Sequence, residues 1–186
     1  MRQVALGELK NIHADVDRKC APLAAEHAER LQCRKGCSQC CVDGLTVFSI
    51  EADRIRRHCQ SVLDSPPHPP GACAFLAQDG SCRIYAHRPY VCRTQGLPLR
   101  WLDMDDRGDW LEYRDICPLN DTETPLTSID ADSCWTLGPI ECELADLQAR
   151  TGSPGERIAL RDLFSRSGSS RDSFQSSSPG SFLNKI

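Results

Sequence analysis

The chain has 186 residues, 12 of them Cys, and a formal net charge of −4. The length allows one domain, or one domain with tails, and the acidic balance argues against a general nucleic-acid binder. Apolar residues make up 40% and aromatics only 6%, which points to a modest core that bound metal would reinforce.

Residues 1–32 read as an N-terminal helical segment. Leu9, Ile12, Val16, Cys20, Leu23 and Leu31 recur at near-helical spacing, and Pro22 is expected to kink the helix or open a second one. The opening stretch "MRQVALGELKNIHADVDRKC" holds no uninterrupted apolar run. Neither a signal peptide nor a membrane span is therefore expected. The expected compartment is the cytoplasm, where thiols stay reduced and cysteine clusters tend to be metal-binding or catalytic.

A cysteine-rich segment then runs over 33–120. It opens with "CRKGCSQCC", where Cys33, Cys37, Cys40 and Cys41 fall within a few residues and Gly36 supplies a turn. "LTVFSIEADRIRRHCQSVL" reads as a short strand and a helix, with Ser49 as N-cap and Glu51 and Asp53 at the positive end of the helix dipole. "SPPHPPG" reads as a stiff linker between the first cysteine group and a second. "CAFLAQDGSCRIY" reads as a hairpin turning at Asp79-Gly80, and "RPYVCR" as a helical turn with Pro89 at its first position. "LRWLDMDDRGDWLEYR" predicts a further hairpin, in which Trp101 and Trp110 would form a cross-strand pair. Residues 121–164 form a C-terminal helical segment around "IECELADLQAR", closed by Gly152 and Pro154. Residues 165–186 are a Ser-rich tail, expected to be disordered, with nine Ser among positions 165 to 181.

Three chemistries compete for the clustered cysteines. Adjacent Cys40 and Cys41 cannot easily pair with each other, and a secreted disulfide scaffold does not fit the expected compartment. A nucleophilic Cys needs a base, and of the five His only His87 lies among the cysteines, where an exposed loop position is its simpler reading. Metal binding explains more. Cys37-x2-Cys40 is a chelate spacing and Cys33 adds a third thiolate one turn earlier. Sulfur donors select zinc, copper(I) or iron–sulfur centres. Neighbouring side chains diverge, so Cys40 and Cys41 are expected to serve different ions or different corners of a polynuclear centre. The C-x3-C-x2-C spacing also occurs in radical S-adenosylmethionine enzymes, but the chain lacks the length and the repeating strand–helix pattern of their barrels.

Taken with "CRKGCSQCC", the stretch "CAFLAQDGSCRIYAHRPYVCR" resembles the bacterial cysteine-cluster family of zinc- or iron-chelating domains, the CxxCxxCC type. The resemblance runs through Cys73, Phe75, Leu76, Cys82, Ile84, Tyr85, Arg88, Pro89, Cys92 and Arg93, with Cys117 as the final family cysteine, and covers about residues 30 to 120. The first cluster departs from the family spacing, and Cys33 bears that departure. The resemblance implies a metal-binding domain. Members are often labelled iron–sulfur oxidoreductases, and flagellin lysine N-methylases carry a similar cluster, so methyl transfer is an analogy.

The expected ligands are Cys33, Cys37, Cys40, Cys41, Cys73, Cys82, Cys92 and Cys117. Arg88 and Arg93 are expected behind them, offsetting thiolate charge and donating to sulfur, with Arg83 evenly divided between that role and a solvated one. Tyr85 and Phe75 read as walls around the site. Cys20, Cys59, Cys134 and Cys142 read as small buried hydrophobes. The expected fold is α+β: a small, irregular, metal-centred domain, mostly helical with short β-hairpins. The expected cofactor is zinc or an iron–sulfur cluster, with iron favoured. An iron–sulfur oxidoreductase is the form an enzymatic role would take, and a zinc-stapled module that binds a protein partner is the alternative. No nucleic-acid or membrane partner is expected.

Overall fold

The computed structural model describes residues 2–122 and 124–164. Ala5, Leu9, Ile12, Val16 and Cys20 fall on one face and are all buried, so α1 (Arg2–Glu26) forms by pressing that stripe onto the rest of the chain. No second helix opens at Pro22. The helix continues for another turn, at the cost of the hydrogen bond that the Arg18 carbonyl would have received.

β1 (Thr46–Phe48) leads directly into α2 (Ser49–His58), with the short α3 (Gln60–Leu63) behind it. Phe48, not Ser49, occupies the capping position, and the Glu51 carboxylate accepts its N–H at 3.3 Å. The proline-rich stretch is tied down along its length. Arg83 donates to the Pro66 carbonyl at 2.8 Å, and Arg161 donates to those of His68 (2.8 Å) and Pro69 (3.3 Å). The hairpin expected after it keeps its Gly80 turn but shrinks to one bridge, Leu76 to Cys82. Its first arm pairs elsewhere, since the Cys73 N–H donates to the Cys41 carbonyl at 2.9 Å.

Two 3₁₀ turns follow, Tyr85–His87 and Tyr90–Cys92, with Pro89 capping the second. The later hairpin forms as β2 (Leu99–Met104) and β3 (Trp110–Asp115), and β4 (Trp135–Thr136) lies parallel to β2 on its other side. The tight turn around Asp105 and Gly108 sets the register, so Trp101 faces Tyr113 and Trp110 faces Met104. The expected Trp–Trp pair is therefore replaced by a Trp101–Tyr113 stack with centroids 5.7 Å apart. α4 (Pro139–Ala149) carries Pro in its first turn. β5 (Arg157–Ala159) pairs antiparallel with β1, and a 3₁₀ turn, Leu160–Phe164, ends the described chain. The result is a small, irregular α+β fold. The Ser-rich segment 165–186 lies outside the described residues.

α2 sits between two apolar clusters. Ile50 joins one with Leu9, Val16, Leu99, Trp135, Leu144 and Leu147; Ala52 and Ile55 join the other with Val47, Phe75, Ile84, Leu160 and Leu163. Between them lies Glu51, almost fully buried. His13 Nε2 donates to its Oε1 at 2.9 Å, and the Tyr90 N–H donates to the same oxygen at 2.7 Å. One carboxylate thus ties α1, α2 and the turn carrying Cys92.

Burial, only partly offset by the Glu51 carboxylate, holds His13 below its ordinary value. Its proton is therefore bound better in the unfolded chain. Its contribution is fully present above the unfolded value of about 6.5 and is lost as pH falls below it. Urea midpoints should drop on acidification from neutral pH, and His13→Gln, which keeps a donor for Glu51, should lessen that drop. Glu51→Ala should cost about 3 kcal/mol in the same measurement at neutral pH, because it leaves buried donors unpaired.

Candidate metal centre

Two consecutive tight turns present the first cysteine group. The Cys37 N–H donates to the Arg34 carbonyl and the Cys41 N–H to the Ser38 carbonyl, each at 2.9 Å, with Gly36 at φ 87°. The Gly36 turn rests directly on the Gly80 turn. A Cβ on Gly80 would stand 2.7 Å from the Gly36 carbonyl oxygen, and Gly80 has φ 77°, so only glycine permits this approach. The contact carries the first thiol group onto the second. Asp43 and Arg161 fasten the far side. Arg161 Nε donates to Asp43 at 2.9 and 3.2 Å, and its other nitrogens donate to the carbonyls of His68, Pro69 and Ala72.

These contacts enclose a cavity of about 870 Å³. Seven of the expected ligands line it: Cys33, Cys37, Cys40, Cys41, Cys73, Cys82 and Cys92. The eighth, Cys117, lies outside the lining, yet its charge bears on Cys33 together with those of Cys37 and Cys40. Asn120 fixes Cys33 from behind: its Nδ2 donates to the Cys33 sulfur at 3.4 Å and to the Gly96 carbonyl at 2.8 Å, while its Oδ1 accepts from the Gln32 N–H at 2.8 Å. Gly96, at φ 94°, leaves the space into which that sulfur fits.

Burial raises the thiols of Cys33, Cys73, Cys82 and, most strongly, Cys92; neighbouring thiolates add to the rise at all four. Cys40 and Cys41 behave as a pair. The Cys41 thiol beside Cys40 lowers Cys40 to about 6, and Cys41 is itself raised.

Arg88 and Arg93 also line the cavity. Both reach Asp17 on α1, Arg93 at 2.5 Å and Arg88 at 3.5 Å. Each keeps a buried Nε without a partner. Two guanidiniums face one carboxylate, so one positive charge is left to oppose sulfur, and the Arg88 charge does favour the Cys82 thiolate. Arg83 serves a different purpose, holding the Val62 and Pro66 carbonyls, and does not line the cavity. Phe75 is a buried wall. Tyr85, expected as another, is 65% exposed at the rim, with the Arg88 guanidinium 4.2 Å above its ring.

Among the remaining cysteines, Cys59 and Cys134 are buried away from the lining and Cys142 is exposed. Cys20 is buried as expected, but it also lines the cavity, one helical turn after Asp17. Its place on the α1 stripe was legible; the facing of that stripe toward the thiols was not. Asn120 and Arg161 were likewise missed, and no local pattern marks either one. His87 stacks on His58, centroids 4.8 Å apart, outside the lining.

All twelve cysteines are free thiols. Among the described residues no three His, Cys, Asp or Glu side chains stand ready to hold an ion. The donor chemistry fits zinc or iron: sulfur throughout, backed by buried guanidinium nitrogens without partners. Residues 32–118 match the CxxCxxCC family model, described as a putative zinc- or iron-chelating domain. No curated protein and no solved structure matches the chain. No helix among the described residues is long and apolar enough to cross a membrane.

A methyl at Gly96 would overlap the Cys33 sulfur, whereas one at Gly108, also at positive φ, meets nothing. Gly96→Ala should therefore lower metal per chain, measured by elemental analysis, and Gly108→Ala should leave it unchanged.

Proposed function

With the zinc- or iron-chelating family match as premise, we propose that the protein holds a thiolate-bound metal centre in this cavity. The ligands are Cys33, Cys37, Cys40, Cys41, Cys73, Cys82 and Cys92, with Cys117 closing on Cys33. The observation that carries the reading is that cysteines from both ends of the tied-down proline stretch line one cavity beside Arg88 and Arg93. Cys40 and Cys41, both in the lining, serve different ions or different corners of one polynuclear centre. Iron–sulfur is the favoured occupant, and it would supply a one-electron couple and with it an electron-transfer or oxidoreductase role. The chain's own contribution is to gather the sulfurs, to offset their charge with Arg88 and Arg93, and to shield one side with α1 and Phe75.

A second reading, zinc in closed four-thiolate sites stapling a protein-binding module, is favoured by the exposed apolar hairpin of β2 and β3.

Protein purified without oxygen should be brown, with iron and acid-labile sulfide. A colourless protein holding zinc selects the second reading, and a reduced protein without bound metal overturns both. Cys40→Ser and Cys41→Ser should each lower metal per chain and alter the absorption spectrum, while Cys59→Ser and Cys142→Ser should do neither. Full metal and an unchanged spectrum in Cys41→Ser would remove it from the centre.

A further inference from the structure

Hairpin β2–β3 stands apart from the rest of the surface. Trp110 is 67% exposed, Leu102 and Met104 56%, Leu111 43% and Tyr113 39%. The register places Leu102, Met104 and Trp110 on one face, and Leu111 and Tyr113 on the other beside Trp101. Large apolar side chains on both faces of one exposed hairpin mark an interaction site. β3 is also an edge: among the described strands it pairs only with β2, so its outer backbone donors and acceptors have no strand partner, although its Arg114 end holds the Leu126 and Ile129 carbonyls.

The charge near the turn is one-sided. Asp103, Asp105, Asp106 and Asp109 stand against Arg107 alone. Glu112 is already matched by Arg100 and Arg114, at 2.9 and 2.6 Å. We propose that the outer edge of β3 docks an extended segment of another protein, one with alternating apolar and Lys or Arg residues. The segment adds a fourth strand to the sheet. Its apolar side chains cover Trp110 and Leu102, and its basic ones meet the aspartates. A second copy of this chain fits less well. Antiparallel pairing of two β3 strands would lay the apolar turn half of one on the Glu112–Asp115 half of the other.

The test uses the full chain and a dye-labelled peptide of alternating Val and Lys, followed by fluorescence anisotropy at low salt. The same peptide with Glu in place of Lys, and the Lys peptide methylated at alternate backbone nitrogens, are the comparisons. The Lys peptide should bind at least about tenfold more tightly than either and weaken as salt rises. The double variant Leu102→Ser, Trp110→Ser should lose binding by a similar factor, with metal content and thermal midpoint unchanged, since both side chains face solvent. No binding of the Lys peptide, equal binding of the three peptides, or indifference to the double variant would overturn the proposal. So would a dimer of the chain alone, seen by analytical ultracentrifugation and abolished by the double variant, which would make a second copy the occupant.

Discussion

A carboxylate sealed from water must spend its charge on nearby donors, and Glu51 does so on three segments at once. It accepts from His13 on α1, from the backbone of Phe48 at the head of α2, and from the backbone of Tyr90. Unpaired, it would be among the costliest groups in the molecule; paired, it leaves little freedom in how α1 meets the turn bearing Cys92 and Arg93. That placement brings Asp17 under the two guanidiniums and Cys20 into the cavity wall. The polar node is apart from the sulfur site, yet it fixes one side of it.

Charge governs the cavity itself. Thiols crowded into a half-buried space oppose one another's ionisation, and burial opposes it further. Two devices work against this. Cys40 is lowered while its neighbour Cys41 is raised, so one sulfur ionises easily at the expense of the other. Arg88 and Arg93 bring two positive charges against the single negative charge of Asp17. A soft cation entering such a site displaces protons and relieves repulsion together, which couples affinity to pH.

Local pattern carried most of the secondary structure. The α1 stripe, the strand–helix step at Phe48 and Ser49, the β2–β3 turn and α4 all rest on periodicities or turn residues visible along the chain. Pro22 opens no second helix because the packing of the α1 stripe outweighs one lost hydrogen bond. The hairpin at Gly80 was overstated because its first arm is taken by Cys41, a contact that no local rule contains. The Trp pairing failed by register, which the turn sets and composition does not. At the site, chelate spacing and motif named the thiols that share the cavity, while Asn120, Arg161 and Asp17 stayed hidden. Each acts over a long separation in the chain: 87 residues from Asn120 to Cys33, 118 from Arg161 to Asp43, and 76 from Asp17 to Arg93.

The Arg161 clasp also has a consequence for how the protein is made. The loop it fastens leaves the ribosome 118 residues ahead of it. At about 5–20 residues per second, the interval is roughly 6–24 s. In the part of that interval that follows Cys92, every thiol of the cavity has been synthesised while the bracket across Asp43, His68 and Ala72 is missing. The nascent chain therefore passes through a stage in which its sulfurs are open to delivered metal and to oxidant alike, and the later-made Arg161 segment closes over whatever was captured first.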